Sequence, residues 1–282
     1  MGFKYQVGDL NLVSDIELPI LRSKEFASHD IEVLISPKLQ IPDKTIEFLP
    51  NNRILYKDIC DNIFLIDKSK ILVSIKDKNI DQASISILGI PLGYLLQNNN
   101  FQVLHGSSVT FNSSAISFIG KSGVGKSSLA MSLVDKGLKL VTEDLCLIKN
   151  SSIYNFSNWV KTNNKSFPFK IASLEKILIK KDSRNRSFYK LDDRHISSRK
   201  NNLKSIYFLK DAKHRSIKKL EAAESFKYLF TYAYRKNDID VDSFKKLAEI
   251  SEKVECFLFS RDIERPLEDN SEFIFDYLNK NL

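Results

Sequence analysis

The chain has 282 residues with 43 Lys and Arg against 35 Asp and Glu, a formal net charge of +8, and three cysteines. That length accommodates one large domain or two modest ones with an ample core. Cys60, Cys146 and Cys256 are widely spaced, odd in number and in no C-x-x-C arrangement, which argues against a disulfide framework or a zinc site and suits a reducing compartment.

The charge is unevenly placed. Residues 1–137 carry 14 basic and 14 acidic side chains, so the whole excess lies beyond them, and residues 161–219 alone hold 18 basic against 5 acidic. This stretch reads as a solvated basic face, with an anionic partner as the alternative. No nucleic-acid-binding motif accompanies it, so nucleic acid is not expected as a partner. The N-terminal MGFKYQVGDLNLVSD has no apolar run long enough for a signal peptide, and no stretch approaches a membrane span. A soluble cytoplasmic protein is expected.

In chain order, residues 1–100 predict a β-rich N-terminal region. Ile31–Ile35, Asn62–Ile66, Ile71–Ile75 and Ala83–Leu88 are short, rich in β-branched residues and separated by Pro, Asn, Asp and Lys turns. His29 is read as a loop histidine. Gly89–Gln97 predicts a short apolar helix. A second domain is expected over 101–282, opening with a strand over Val103–Thr110. Further on, Leu138–Val141 predicts a buried strand that ends at Glu143-Asp144, and Leu203–Leu209 another. Ala222–Tyr234 and Phe244–Val254 have helical spacing, which places Phe226, Phe230 and Tyr234 in the core. Cys256–Phe259 predicts a last strand and Phe273–Leu278 a final amphipathic turn or two.

The chemistry concentrates between Phe118 and Ser128, where the chain reads FIGKSGVGKSS. This is a full G-x-x-x-x-G-K-[ST] phosphate loop, with Gly120, Gly125, Lys126 and Ser127 in the defining positions. Apolar Ala115, Ile116 and Phe118 precede it as a strand, and Leu129–Val134 follow as a helix, the setting that gives the pattern structural meaning. The residues expected to hold nucleotide are Gly120, Lys121, Ser122, Gly123, Val124, Gly125, Lys126, Ser127 and Ser128. Glycines let backbone N–H groups converge on phosphate oxygens, and the helix N-terminus adds its dipole. Lys126 is expected to reach the β- and γ-phosphates, and the Ser127 hydroxyl to ligate Mg²⁺. All nine glycines lie at or before Gly137, leaving 145 residues with none, where ordinary usage predicts roughly ten. A second glycine-rich phosphate loop is thereby excluded.

Three elements therefore stand out: His105-Gly106, the loop, and Glu143-Asp144. Phosphoryl transfer needs a clamped nucleotide, a held metal and a positioning group near the acceptor. Asp144 is expected either to activate the acceptor or to bind magnesium, and Glu143 to do the other. His105, on a neighbouring strand, is a candidate beside the reacting phosphate.

The order His105-Gly106, GKSGVGKSS and LKLVTEDL resembles the C-terminal catalytic domain of HPr kinase/phosphorylase over residues 101–148. The remainder is more loosely similar to short HPr-kinase-like proteins encoded with peptide-modification systems, including lasso-peptide kinases. The resemblance implies an α/β fold with a P-loop phosphotransferase core of the HPr kinase and phosphoenolpyruvate carboxykinase type. It implies ATP and Mg²⁺ as cofactors and a serine hydroxyl of a peptide or small protein as acceptor, with a ribosomally made precursor peptide among the candidates. By the same resemblance Lys126 stabilises the transferring group, Ser127 binds magnesium, Asp144 matches the catalytic acid, Glu143 takes the place of its usual Asp partner, and His105 matches the histidine near the phosphate. Ser128 stands where the family often has Glu. The glycine-rich E-x-R-G-L-G-I signature of the dual-function enzymes has no counterpart, which implies a kinase without the reverse reaction. Arg184, Arg186 and Arg194 are candidates for neutralising phosphate or peptide carboxylate. A kinase for free serine or a similar small molecule, and an ATP-binding regulator with little turnover, are the alternatives.

Overall fold

The structure, a computed structural model, describes residues 2–162, 187–234 and 241–281. These fall into two compact units, the first built on residues 2–101 and the second on residues 102–160, 190–234 and 241–281.

In the first unit, β1 (Phe3–Val7), β2 (Leu10–Ser14), β3 (Ile31–Ile35), β4 (Ile46–Leu49), β5 (Arg53–Lys57), β6 (Ile63–Ile66) and β7 (Lys70–Ser74) form one sheet in the order β1-β2-β3-β7-β6-β5-β4. Side chains alternate across a strand. In β7 that puts Ile71 and Val73 in the core, while Lys70, Leu72 and Ser74 are half-buried. Two helices follow, α1 (Ile80–Ile87) and α2 (Ile90–Asn98). His29 lies in a loop, with Nε2 2.7 Å from Glu32 Oε1.

The strand expected over Ala83–Leu88 is instead the body of α1. The alternating Ser84-Ile85-Ser86-Ile87 imitates a strand, but the side chain of Asn79 caps the segment by accepting from the Gln82 N–H at 3.1 Å. Ala83, Ser84 and Ile87 are then buried at helical spacing.

The second unit contains β8 (Gln102–Phe111), β9 (Ser114–Ile119), α3 (Lys126–Asp135), β10 (Lys139–Lys149), β11 (Ser152–Tyr154), β14 (Lys200–Ala212), β15 (Ser216–Lys219), α4 (Ala222–Tyr232), α5 (Val241–Lys253), β16 (Glu255–Asp262) and α6 (Leu267–Asn281). Short strands β12 (Trp159–Thr162) and β13 (Ser187–Lys190) stand outside its sheet. The strand order is β11-β10-β8-β9-β14-β16-β15, and β11 also pairs with β14, so five strands close on themselves. Strands β9, β14 and β16 run parallel.

The sheet is covered on both faces, and β14 carries the pattern. Ile206 and Phe208 point one way; Phe208 stacks on Tyr228 and Tyr232 of α4 at 5.0 and 6.2 Å. Tyr207 points the other way, stacking on Phe257 at 4.9 Å and meeting Tyr277 of α6 edge-on at 6.5 Å. Burying one such large side chain contributes roughly 1.5–3 kcal/mol, so neighbouring residues of a single strand fix helices on opposite sides. The core placement expected for the α4 aromatics is corrected in part. Phe230 is 37 % exposed, and Phe226 is half-buried between Phe230 and Phe244. The inward positions of α4 are Ser225 and Leu229. The final amphipathic turns are a helix of 15 residues, α6.

Candidate active site

The glycine loop joins the end of β9 to the start of α3. Gly125 is the residue before the helix, in the left-handed region at φ 85°, and it offers no side-chain cap. That conformation favours glycine. The first N–H groups of any helix lack intrahelical acceptors, so this helix start suits an anion. Val124 is buried and anchors the loop, while Lys121, Ser122, Gly123 and Ser128 are exposed. Lys126 is 5 % exposed, and its ammonium donates to the carbonyls of Gly120 and Lys121, both at 2.9 Å.

Strand register places the other residues. Gly106 of β8 pairs with Ile119, the last residue before the loop, and also with Asp144 of β10. Ser107 pairs with Glu143, and His105 with Leu145. His105, Ser107, Glu143 and Asp144 therefore sit at the level where β9 enters the loop. Gly106 is required by close packing. A Cβ there would lie 2.2 Å from Ile119 Cδ1, 2.7 Å from the Phe118 carbonyl oxygen and 3.0 Å from Cys146 Sγ.

Two side-chain relationships result. The Ser127 hydroxyl donates to Glu143 Oε1 at 2.6 Å, and Ser107 Oγ lies 3.3 Å from Ser127 Oγ. His105 Nε2 approaches Asp144 Oδ1 at 3.5 Å, with the two side chains 43 % and 21 % exposed. Glu143-Asp144 does not end a strand as expected. Strand β10 continues to Lys149, with an irregularity between Leu140 and Thr142 and Asp144 at φ 82°. A non-glycine residue held at positive φ within a strand costs of order 1–3 kcal/mol and is found disproportionately at functional sites.

Cys146 lies below these groups, fully buried, with Sγ 3.2 Å from Ser108 Oγ. Burial pushes its thiol up to about 12, so it packs as a neutral side chain and is no nucleophile.

Arg194 lies 3.6 Å from Asp192 and is largely exposed. Arg184 and Arg186 fall outside the described residues. Two residues that carried no sequence signal stand beside the loop: Asp211 and Arg261, paired at the carboxyl ends of parallel β14 and β16. The Arg261 guanidinium donates to Asp211 Oδ1 at 2.9 Å, and Lys121 Nζ is 3.8 Å from Asp211 Oδ2. Only the parallel order β9-β14-β16 reveals them.

Magnesium bound by proteins keeps to hard oxygen ligands, usually one or two carboxylates with substrate phosphates. The Ser127 hydroxyl and Glu143 carboxylate, 2.6 Å apart beside the loop, fit that donor set. Among the described residues, no three or more His, Cys, Asp or Glu side chains gather as a metal cluster. None of the described helices is long and apolar enough to cross a membrane.

No protein-family model matches the chain, and no curated protein matches it. Among solved structures it is similar to the Hpr(Ser) kinase/phosphatase from Coxiella burnetii, at 13 % identity over 64 % of this chain and 99 % of that one, with a TM-score of 0.33. So loose a likeness carries neither architecture nor activity across.

Proposed function

We propose that this chain is a Mg-ATP-dependent kinase that transfers the γ-phosphate to a serine hydroxyl of a peptide or small protein. The observation that carries this reading is the Ser127–Glu143 contact of 2.6 Å beside the glycine loop. It sits with the His105–Asp144 approach of 3.5 Å at the same level of the sheet.

The loop backbone cradles the phosphates, and Lys126 exchanges the Gly120 and Lys121 carbonyls for β- and γ-phosphate oxygens. Ser127 and Glu143 hold the metal side of the site. Magnesium bound there supplies neutralisation of charge on the phosphate oxygens. Asp144 faces the acceptor and takes the proton of its hydroxyl as that oxygen bonds to the γ-phosphorus. The bond from the γ-phosphorus to the bridging oxygen breaks, and ADP leaves. His105 orients the Asp144 carboxylate. A serine hydroxyl as acceptor is supported by the motif order over residues 101–148.

The test is mass spectrometry of candidate peptides, small proteins and free serine after incubation with Mg-ATP, with Asp144→Asn and Lys126→Ala alongside. A phosphoserine mass shift on a peptide or protein, lost in both variants, is expected. A shift confined to free serine would make the acceptor a small molecule. ATP binding with no acceptor modified would count against catalysis.

A further inference from the structure

We propose that Arg261 is a phosphate ligand of the nucleotide site, a third cation beside Lys121 and Lys126 supplied from outside the glycine loop. The inference rests on the nucleotide reading of that loop.

Its first support is placement. A Cβ on Gly125 would fall 2.5 Å from Arg261 Nη1 and 3.3 Å from its Cζ, so the guanidinium lies against the loop residue that opens α3. Arg261 belongs to the carboxyl end of β16, whose direction matches that of β9 through β14. The carboxyl end of β9 leads into the glycine loop, so the matching direction of β16 brings Arg261 to the same end of the sheet.

The second support is unfilled donor capacity. The Arg261 side chain is 15 % exposed, and one arm of its fork is spent on Asp211 at 2.9 Å. Its Nε is buried with no hydrogen-bond partner among the described residues. Buried donors are rarely left unsatisfied, and each exception calls for a reason. Nε itself is shielded, and the arm that a phosphate oxygen in the loop would meet is Nη1, which lies against Gly125. A planar guanidinium, always charged, is well suited to such an oxygen.

Asp211 acts as a positioning residue. It holds Arg261 through one oxygen, and its other oxygen lies 3.8 Å from Lys121 Nζ on the opposite arm of the loop. One carboxylate between two cations leaves the trio of Lys121, Asp211 and Arg261 with one net positive charge on this side of the loop.

The backbone of such a loop cradles the α- and β-phosphates, so an arginine against Gly125 acts on ADP as well as ATP. The experiment is a calorimetric ADP titration of the full chain and of Arg261→Ala, Arg261→Met and Lys126→Ala, with unfolding midpoints measured without nucleotide. Losing a charge-assisted hydrogen bond is expected to weaken ADP binding roughly 10- to 100-fold in both Arg261 variants. Methionine keeps the length and apolar stem, so a role in packing alone would spare Arg261→Met. Retention of affinity within about twofold in Arg261→Met, or in both variants, overturns the proposal. If Lys126→Ala weakens binding while the Arg261 variants do not, only this inference falls. If the unsubstituted chain binds no ADP, the nucleotide reading falls with it.

Discussion

The Ser127 hydroxyl donates to the Glu143 carboxylate across 2.6 Å, tying the first turn of α3 to the middle of β10. On the proposed function, a hydroxyl and a carboxylate so close beside the loop are expected to make nucleotide affinity depend on divalent metal. Mg-ATP is expected to bind at least about tenfold more tightly than ATP in EDTA. Ser127→Ala and Glu143→Gln should each shrink that difference. Titrations with and without EDTA measure it, and an equal metal dependence in all three proteins would remove both residues from the metal side.

Asp144 has a different expected signature. General-base assistance contributes roughly 10²- to 10⁴-fold, so Asp144→Asn should lower phosphoryl transfer by about that factor. Its ATP affinity should stay within about twofold of the unsubstituted chain. Acceptor phosphorylation rates set beside binding titrations separate the two effects. A parallel loss of affinity would place Asp144 with the nucleotide and not with the acceptor.

Gly106 is a stability site within the functional strand. Its added Cβ would meet Ile119 Cδ1 at 2.2 Å and the backbone oxygen of Phe118 at 2.7 Å. The side chain can turn aside, but the backbone cannot without disturbing the β8–β9 pairing. Gly106→Ala is expected to destabilise the protein by about 1–3 kcal/mol or somewhat more. Denaturant unfolding measures this, and a change under about 0.5 kcal/mol would show that the strands relax freely.

Burial raises the Cys146 thiol to about 12 and the Cys256 thiol to about 11, each from 9.0. Both folded values lie above the unfolded one, so the unfolded chain gives up these protons first. The associated stability is full below pH 9.0 and is lost as pH rises through about 11 to about 12. Stability should therefore fall on going from pH 8 to pH 10, and fall less in Cys146→Ala. At pH 8, iodoacetamide should label half-buried Cys60 before either buried thiol. Mass spectrometry of the labelled chain checks that order.

How much of this was legible in the sequence depended on how local the signal was. The loop needs only adjacent residues, and its flanking apolar runs do form β9 and α3. Leu203–Leu209 and Cys256–Phe259 were readable as strands because their β-branched and aromatic runs are short and continuous, though both extend further. The segment Ala83–Leu88 was misread because its Ser-Ile alternation has the period of a strand, whereas the deciding cap at Asn79 lies outside the run. Phe230 has the spacing of its buried neighbours but lies on the outer side of α4. Arg261 and Asp211 were not legible at all. Each is an ordinary charged residue at a strand end, and only the parallel pairing of two strands with β9 brings them to the loop.

Binding of a nucleoside triphosphate by the loop of residues 120–127 is tested most directly by calorimetric titration of Mg-ATP into the full chain and into Lys126→Ala. Saturable binding at one site per chain is expected, weakened at least roughly tenfold by the substitution, with unfolding midpoints measured without nucleotide to show that Lys126→Ala is still folded. Absence of binding to the unsubstituted chain, or equal affinity in Lys126→Ala, would contradict this expectation.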